Sequence, residues 1–264
     1  MNSFGPGAKP ISQSNDHFAL PPTRFLDHTY PDLASNLALD EALLLDAADD
    51  PQAGPLLRFW EPTRLAVVLG ASGRLRDDVN ADLCRAEGVE IGRRSSGGGT
   101  VLIGPGTLNV TLILRCDAKP EFKHVDTAQR AVLETIAEAL RGIGRDVRVE
   151  GSGDLTLEGR KFSGSAQRRI RDWFLIHATI LNSAPIAPIV RYTKAPARQP
   201  AYRAGRPHER FLTRLDLPPE SLAEAIRRSW NVTGLSTSLP TSIDRAVREM
   251  VAARFGHSDW IERL

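Results

Sequence analysis

Apolar residues recur every three or four positions in five parts of the chain, a period that predicts amphipathic helices. The predicted helices run from Asp32 to Ala48, Asn80 to Glu87, Asp126 to Leu140, Pro219 to Trp230 and Ser242 to Phe255. The stripe is clearest in the third, where Ala128 and Val132 lie one turn apart and Gly142 follows as a stop signal. Asn36 and Glu41 lie within the first helix, and we expect both to face solvent.

Alternating or short apolar runs between turn residues predict the β-strands. They run from Pro55 to Trp60, Leu65 to Leu69, Val89 to Arg93, Leu108 to Leu114, Asp146 to Glu150, Asp154 to Leu157, Arg160 to Phe162 and Trp173 to Leu181. We expect a hairpin turn at Glu158-Gly159 and an irregular, mobile loop from Asn182 to Pro207. Strands in hairpin pairs with helices between them predict an α+β fold, with mixed or antiparallel sheets flanked by helices.

Composition narrows the class of protein only a little. Residues 1–23 are rich in Gly, Pro, Ser and Asn, which predicts a disordered tail before one folded domain, residues 24–264. A formal charge of +2 argues against nucleic-acid binding through bulk charge, and no apolar run approaches the roughly 20 residues of a membrane span. With no secretory signal and two cysteines outside any metal-like spacing, Cys84 and Cys116, we expect a cytoplasmic protein with free thiols.

Three consecutive glycines, Gly97 to Gly99, mark the first stretch that indicates chemistry, and Arg93-Arg94-Ser95-Ser96 precedes them. Glycine is costly to order, so such a run is kept where the backbone must approach another group or adopt a positive φ. Backbone N–H groups in a bend of this kind can bind an anion, and arginine suits phosphate and carboxylate. Taken alone, the stretch is equally consistent with a flexible loop that carries solvated arginines.

A second stretch, Gly159 to Gln167, contains Lys161 followed by Ser163-Gly164-Ser165. Lysine is scarce in this chain, since nearly all of its 34 basic residues are arginine. A fixed ammonium beside backbone donors can hold a carboxylate next to an ATP α-phosphate and stabilise the charge that develops during attack. An isolated lysine is structural by default, but the small hydroxyl residues here favour a functional one.

These two stretches, together with His177-Ala178-Thr179-Ile180-Leu181, resemble the lipoate–protein ligase A family. That family belongs to a wider group with the octanoyltransferases and biotin ligases. The resemblance spans roughly Phe25 to Trp260, and the segments Asn36 to Glu41 and Gly151 to Leu155 are similar too. It implies a class II synthetase-like catalytic domain of the biotin/lipoate ligase type.

The activity that the resemblance implies has two steps. The carboxylate of lipoate attacks the α-phosphate of ATP, which gives lipoyl-adenylate and pyrophosphate, and the lipoyl group then passes to a lysine of a lipoyl carrier domain. An E2 subunit or the glycine cleavage H protein would be such a carrier. Mg²⁺ is expected to bridge the phosphate oxygens, and no residue is assigned as its ligand.

The resemblance also assigns residues by position. Lys161 is the expected catalytic residue, which would bind the acyl carbonyl and the phosphate. The residues expected to bind ATP and lipoyl-adenylate are Arg94, Ser96, Gly98, Gly99, Thr100, Val101, Leu102, Asn109, Asp154, Ser163, Gly164, Ser165 and His177. Asp154, Ser163 and Ser165 are second choices, and His177 ranks low because such a histidine more often satisfies a hydrogen bond at a strand end.

Two features depart from the family pattern. Ile103-Gly104 stands where many members carry His-Asp, although Gly106 and Asn109 remain. The sequence also ends shortly after its last predicted helix, where full-length ligases continue into an accessory domain. We therefore expect that domain to be absent, and a separate accessory subunit to be a partner.

Three other functions stay open. An ATP-independent octanoyl or lipoyl transferase needs a cysteine nucleophile near the acyl carbonyl, and neither Cys84 nor Cys116 has the expected position. A biotin ligase would carry a Gly-Arg-Gly-Arg type of loop. A non-catalytic lipoyl-binding protein would account for both departures from the family pattern. The preference for lipoate or octanoate cannot be read from these residues.

Overall fold

The computed structural model describes residues 21–196 and 198–264, in which ten strands form two sheets. The strands are β1 (Arg24–Asp27), β2 (Leu56–Trp60), β3 (Ala66–Leu69), β4 (Glu90–Arg93), β5 (Val101–Ile103), β6 (Thr107–Arg115), β7 (Val147–Glu150), β8 (Asp154–Leu157), β9 (Arg160–Ile170) and β10 (Trp173–Leu181). The larger sheet has the order β1-β2-β6-β10-β9-β8-β7 and the smaller one β4-β3-β5. Two of the neighbouring pairs, β1–β2 and β3–β4, are parallel and the others antiparallel.

Helices cover both faces of the larger sheet, which confirms the predicted α+β class. They are α1 (Leu33–Asp49), α2 (Leu75–Asp78), α3 (Ala81–Ala86), α4 (Val125–Gly142), α5 (Ala187–Tyr192), α6 (His208–Phe211), α7 (Pro219–Ser229), α8 (Thr241–Met250) and α9 (Ser258–Ile261). All five predicted helices are present. The last of them is α-helical only to Met250 and continues as a π-helical turn from Val251 to Phe255. Within the described residues, no helix combines the length and apolar character that crossing a membrane requires.

The alternation of side chains along β10 divides the core into two layers. Phe174 and Ile176 pack in one apolar cluster with α4 and α7, whereas Trp173 and Leu175 pack in another with α1 and α8. The same alternation places Ile113 of β6 on the α1 face. This apolar contact explains why an isoleucine interrupts the series of polar residues on that face of the strand. Farther along β10, the α1 face turns polar, and this is where the candidate site lies.

Two sequence predictions about strands and loops were incomplete. The strand predicted from Arg160 to Phe162 extends to Ile170, because its Ser-Gly-Ser segment pairs with β10 despite its weak strand preference. The loop predicted from Asn182 to Pro207 contains α5 and a 3₁₀ turn, Ala201–Arg203. The predicted tail lies almost wholly outside the described residues, although Thr23 at its end is buried and bridges Val232.

The prediction that Asn36 and Glu41 face solvent was wrong, since both are buried. The amide of Asn36 donates to the carbonyls of Tyr30 and Asp32, at 2.8 Å each. Glu41 accepts from Arg168 at 3.0 Å and from Arg254 at 2.6 Å. Partners far away in the sequence satisfy these polar groups, and a helical period alone does not reveal them.

Arg58 of β2 is fully buried and is the main cation of the α1 interface. Its Nη1 lies 2.5 Å from Oδ1 of Asp40, and its guanidinium also donates to Asn36 and to the carbonyl of His28. Burial raises the pKa of Asp40, but the charge of Arg58 and the hydrogen bond from His177 outweigh it and hold that pKa below its ordinary value. The carboxylate is therefore charged at neutral pH.

We predict that Arg58→Met destabilises the fold by about 3–5 kcal/mol, because it leaves the charge of Asp40 buried without its partner. Urea unfolding followed by circular dichroism measures the change. Arg148→Met is the matched control, since its ion pair with Asp146 is 70% and 71% exposed and contributes little. Equal stability of the two variants would contradict the role given to Arg58.

Candidate functional site

A hydrogen-bonded chain crosses the polar part of the α1 face. Thr111 donates to Oδ2 of Asp40 at 3.0 Å, and Nδ1 of His177 lies 3.3 Å from the same oxygen. Nε2 of His177 lies 2.5 Å from Oγ of Ser96, and Nε of Arg94 donates to that Oγ at 3.0 Å. Because a carboxylate only accepts, the Nδ1–H tautomer satisfies every member, with the hydroxyl of Ser96 donating to Nε2. This series of hydrogen bonds links the core to the glycine loop.

His177 therefore does more than satisfy a strand end. It lies in the middle of β10, and its partners belong to α1 and to the loop. Asp40 was missed as a member of the site, although it lies in the Asn36–Glu41 segment of the family resemblance. Thr111 was missed as well, because one threonine in an alternating strand carries no signal of its own.

Arg94 holds the glycine loop by its carbonyl groups, and Arg93 binds carbonyl groups of two neighbouring segments. Arg94 is buried and donates to the carbonyls of Gly97 at 2.6 Å and Gly99 at 2.8 Å, and burial lowers its pKa to about 10. Arg93 is fully buried and donates to carbonyls around Gly70–Gly73 and at Trp260–Ile261. The alternative of a flexible loop with solvated arginines is therefore excluded.

The loop backbone is tightly packed on one side and open on the other. Gly98 has φ +87°, and a Cβ there would lie 2.9 Å from the guanidinium of Arg94 and 3.5 Å from Cβ of Ala166. Gly97 and Gly99 are exposed, and a Cβ on either would meet nothing within 4 Å. No acceptor among the described residues takes the N–H groups of these three glycines. The loop therefore presents backbone donors to open space.

Lys161 lies near the start of β9, five residues before Ala166, which the glycine loop approaches. Its Nζ is 2.7 Å from Oδ1 of Asp154, and Oδ2 of Asp154 accepts from the hydroxyl of Tyr202 at 2.7 Å. A Cβ at Gly164 would lie 2.9 Å from the ammonium, so glycine at that position leaves room for the lysine head group. No sequence signal points to Tyr202, which lies in the stretch predicted to be irregular.

The structure brings only some of the predicted residues together. Asn109 joins the site face, where its Oδ1 accepts from Thr179 at 3.0 Å. Ser163 and Ser165 pair with Ile180 and Ala178 and point to the α4 face, away from His177. Ser165 donates to the carbonyl of Gly153 and accepts from Gln129 of α4. Between these serines, Gly164 lies next to the ammonium of Lys161, and contact of Ser163 and Ser165 with a nucleotide stays a prediction.

The three residues after the glycines support the loop. Thr100 donates to Asp78 at 2.8 Å, Leu102 is buried among the residues of the smaller sheet, and Val101 packs beside α1. Their contact with a nucleotide stays a prediction, as does that of Ser96 and Arg94. Within the described residues no group of three or more His, Cys, Asp or Glu side chains could hold a metal ion.

Residues 32–217 match the model of the lipoyl protein ligase A/B catalytic domain, and the chain belongs to this family. An Aeropyrum pernix protein described as a lipoate-protein ligase A is 35% identical over 55% of this chain and 52% of its own length. The chain thus spans about half the length of that relative, and 44% of its Mycoplasma pneumoniae counterpart. The octanoyltransferase LipM of Carboxydothermus hydrogenoformans is 25% identical over 91% of this chain and 98% of its own.

Solved structures share the fold at low sequence identity. A lipoate-protein ligase A bound with ATP superposes with a TM-score of 0.81 at 20% identity, over 92% of this chain and 100% of its own. A bipartite lipoate protein ligase of Thermoplasma acidophilum gives a TM-score of 0.78 at 20% identity, over 91% of this chain and 96% of its own. These likenesses establish a lipoate ligase fold and carry no information about individual side chains.

We predict that Gly98→Ala destabilises the loop by roughly 1–2 kcal/mol, because alanine at φ +87° is strained and its Cβ displaces Arg94. Thermal unfolding and hydrogen exchange of residues 95–100 measure the change. Gly97→Ala is the matched control, since its Cβ would meet nothing and its φ is not positive. Equal exchange in the two variants would refute the packing described for Gly98.

Proposed function

We propose that the chain activates lipoate with ATP to form lipoyl-adenylate and transfers the lipoyl group to a lysine of a carrier domain. One observation carries the proposal: the backbone donors of the glycine loop and the ammonium of Lys161 approach the same face of β9. Gly98 meets β9 at Ala166 and Lys161 meets it at Gly164, two residues apart. That separation is about 7 Å along a strand, which suits a phosphate next to an acyl group.

The first step uses charge that the site already holds in place. The free N–H groups of Gly97 to Gly99 would bind the phosphate oxygens of ATP, as backbone bends do for anions. Lys161 would donate to the lipoate carbonyl and the α-phosphate. As one carboxylate oxygen attacks the α-phosphorus and pyrophosphate leaves, negative charge grows on the remaining oxygens, which these donors stabilise.

The second step uses the same lysine, Lys161, with a different nucleophile and a different leaving group. The amine of the carrier lysine, as the free base, attacks the acyl carbonyl of lipoyl-adenylate, AMP leaves with the electrons of the broken C–O bond, and the nitrogen releases a proton to water. Charge now grows on the acyl oxygen, which lies next to Lys161 in the proposed pose. One ammonium therefore serves both steps, because the acyl group stays in place while its partner changes.

In the proposed reaction, Mg²⁺ binds together with ATP. The described residues contain no cage of three acidic or histidine side chains, and Asp154 already accepts from Lys161 and Tyr202. A magnesium ion keeps several waters and binds mainly through phosphate oxygens in many ATP sites. We therefore write the substrate as the Mg²⁺ complex of ATP and assign it no ligand from this chain.

A basic segment beside Lys161 supports a carrier domain as the acceptor. Residues 191–214 contain seven lysines and arginines and a single acidic residue, against a formal charge of +2 for the whole chain. This segment reaches the site, since the N–H of Thr213 donates to the carbonyl of Lys161 at 2.8 Å. It suits a carrier whose acceptor lysine lies among acidic residues. The family match and the bipartite relative with its E2 lipoyl domain support the same assignment.

We predict that Lys161→Ala lowers lipoyl-adenylate formation by about 10²–10³-fold, since it removes the charged donor at the reacting centre. The purified chain is incubated with ATP, Mg²⁺ and lipoate, and mass spectrometry quantifies lipoyl-adenylate while a coupled assay follows pyrophosphate. Lys123→Ala is the matched control, because this exposed lysine lies on a 3₁₀ turn outside the site. Undiminished activity of Lys161→Ala would contradict the role of Lys161.

The same assay distinguishes a ligase that is active alone from one that needs an accessory subunit and from a lipoyl-binding protein. Adenylate formed by the wild-type chain alone would establish the ligase without an accessory subunit. Transfer from supplied lipoyl-adenylate to a carrier lysine, without adenylate formation, would indicate that a separate subunit is needed for activation. If the chain shows neither of these activities, the result would favour a lipoyl-binding protein and overturn the proposal.

An ATP-independent acyltransferase is the second candidate, because the LipM alignment spans nearly the whole of both chains. Such chemistry needs a cysteine thiolate. Cys84 is buried beneath the smaller sheet, and Cys116 is half-buried with its Sγ 3.5 Å from Nη1 of Arg169. Burial raises the pKa of both thiols, which opposes thiolate formation. Cys116 follows Arg115, which pairs with Trp173 at the start of β10, whereas Lys161 precedes Ser163, which pairs with Ile180 near the end of that strand.

We predict that the variant with Cys84→Ala and Cys116→Ala keeps at least half of the wild-type acyl transfer to a carrier lysine. Neither thiol has the raised thiolate fraction that a nucleophile needs. Transfer is measured from lipoyl-adenylate and, separately, from an octanoyl carrier protein without ATP. Abolished transfer from the octanoyl carrier, with an intact fold, would favour the acyltransferase instead.

A further inference from the structure

All three tyrosines of the chain donate to a carboxylate that also pairs with a cation. Tyr30 donates to Asp244, which pairs with Arg248, and Tyr192 donates to Glu87, which pairs with Arg191. Tyr202 donates to Asp154, which pairs with Lys161. Only in the last of these groups is the cation the residue proposed to contact the substrate.

We propose that Tyr202 is a positioning residue, which acts through Asp154 to let Lys161 pass from its ion pair to the acyl group. The inference rests on the proposed function for its substrate, but the exchange itself is a property of this chain. The ammonium of Lys161 has three N–H donors, and Asp154 engages one of them at 2.7 Å. When the other two donate to a carbonyl and a phosphate, the single positive charge of Lys161 is shared with the substrate, and its attraction to the carboxylate of Asp154 weakens.

The cost of that exchange depends on Asp154, whose side chain is only 15% exposed. A carboxylate in such a place is stabilised by a charge-assisted hydrogen bond, and Tyr202 supplies one at 2.7 Å. Burial and the contact with Asp154 raise the pKa of Tyr202, so its hydroxyl keeps its proton and remains a donor. Tyr202 thus satisfies Asp154 both before and after Lys161 moves.

The surroundings of Tyr202 fix its hydroxyl in place. Its ring lies 5.3 Å from that of Phe211, a buried residue that Arg203 and Arg206 also approach at 4.7 and 5.4 Å. Arg206 donates to the carbonyl of Tyr202 at 2.8 Å and to the carbonyl of Gly159 at 3.1 Å. The tyrosine is therefore anchored to the hairpin that carries Lys161, which is what a positioning group requires.

The first test is a double-mutant cycle between Tyr202→Phe and Asp154→Asn. Affinity for a non-hydrolysable lipoyl-adenylate analogue, the acyl sulfamate, is measured by calorimetry. We expect Tyr202→Phe to weaken binding by about tenfold, the value of one hydrogen bond to a charged group. In the Asp154→Asn background the same change should have little effect, because no charge remains to be satisfied. Equal losses in both backgrounds would overturn the proposal.

Tyr30→Phe is the matched control. It removes a tyrosine–carboxylate hydrogen bond of the same length, 2.7 Å, beside a carboxylate that also pairs with a cation. Unchanged affinity is expected, and thermal unfolding of each variant shows that the fold is intact. A tenfold loss in Tyr30→Phe would mean that the effect is structural and general, which contradicts a specific role for Tyr202.

A second measurement does not depend on the proposed function. The rate at which acetic anhydride modifies Lys161 is followed by mass spectrometry, with Lys123 as the internal reference. Without the tyrosine hydrogen bond, Asp154 holds Lys161 more strongly, so Tyr202→Phe should slow the modification several-fold. An unchanged rate would refute the positioning role. A slower rate in a chain that binds no analogue would support the exchange while rejecting lipoyl-adenylate as its ligand.

Discussion

The buried carboxylate of Asp40 is the constraint on which the rest of the site depends. One of its oxygens pairs with Arg58, and the other accepts from Thr111 and lies beside His177. Because the carboxylate is charged and desolvated, each donor is held in one direction, and a donor that turned away would leave part of that charge unsatisfied. The orientation of His177, and through it of Ser96, follows from this one group.

The glycine loop shows how a costly backbone can be ordered without blocking it. Fixing three glycines opposes folding, since each loses more conformational freedom than any other residue. Arg94 offsets this by binding the carbonyl groups of Gly97 and Gly99, which leaves the N–H groups of Gly97 to Gly99 without an acceptor among the described residues. Side chains that bound the donors instead would have ordered the loop equally well and left nothing for an anion.

The sequence was informative where the signal was local. The stripe of α4, the alternation of β6 and the two motif stretches needed only neighbouring residues, and the fold class followed from their order. The face of the sheet to which the side chain of Ser163 points could not be predicted, because an irregular register between β8 and β9 near Leu155 and Thr156 decides it. Asp40 and Tyr202 have their partners far away in the sequence, and residue types alone do not record such partners.

Lys161 illustrates why an isolated positive charge would serve this site poorly. An ammonium with no partner would be mobile and strongly hydrated, and substrate would have to order it and remove its water. The pair with Asp154 fixes Lys161 beforehand, but a pair without any other support would resist the transfer to substrate. Gly164 leaves space for the head group on the site face, and a second donor on Asp154 keeps the carboxylate satisfied. A lysine held in this way is ordered at rest and still available to a ligand, which requires the residues around its partner as much as the lysine itself.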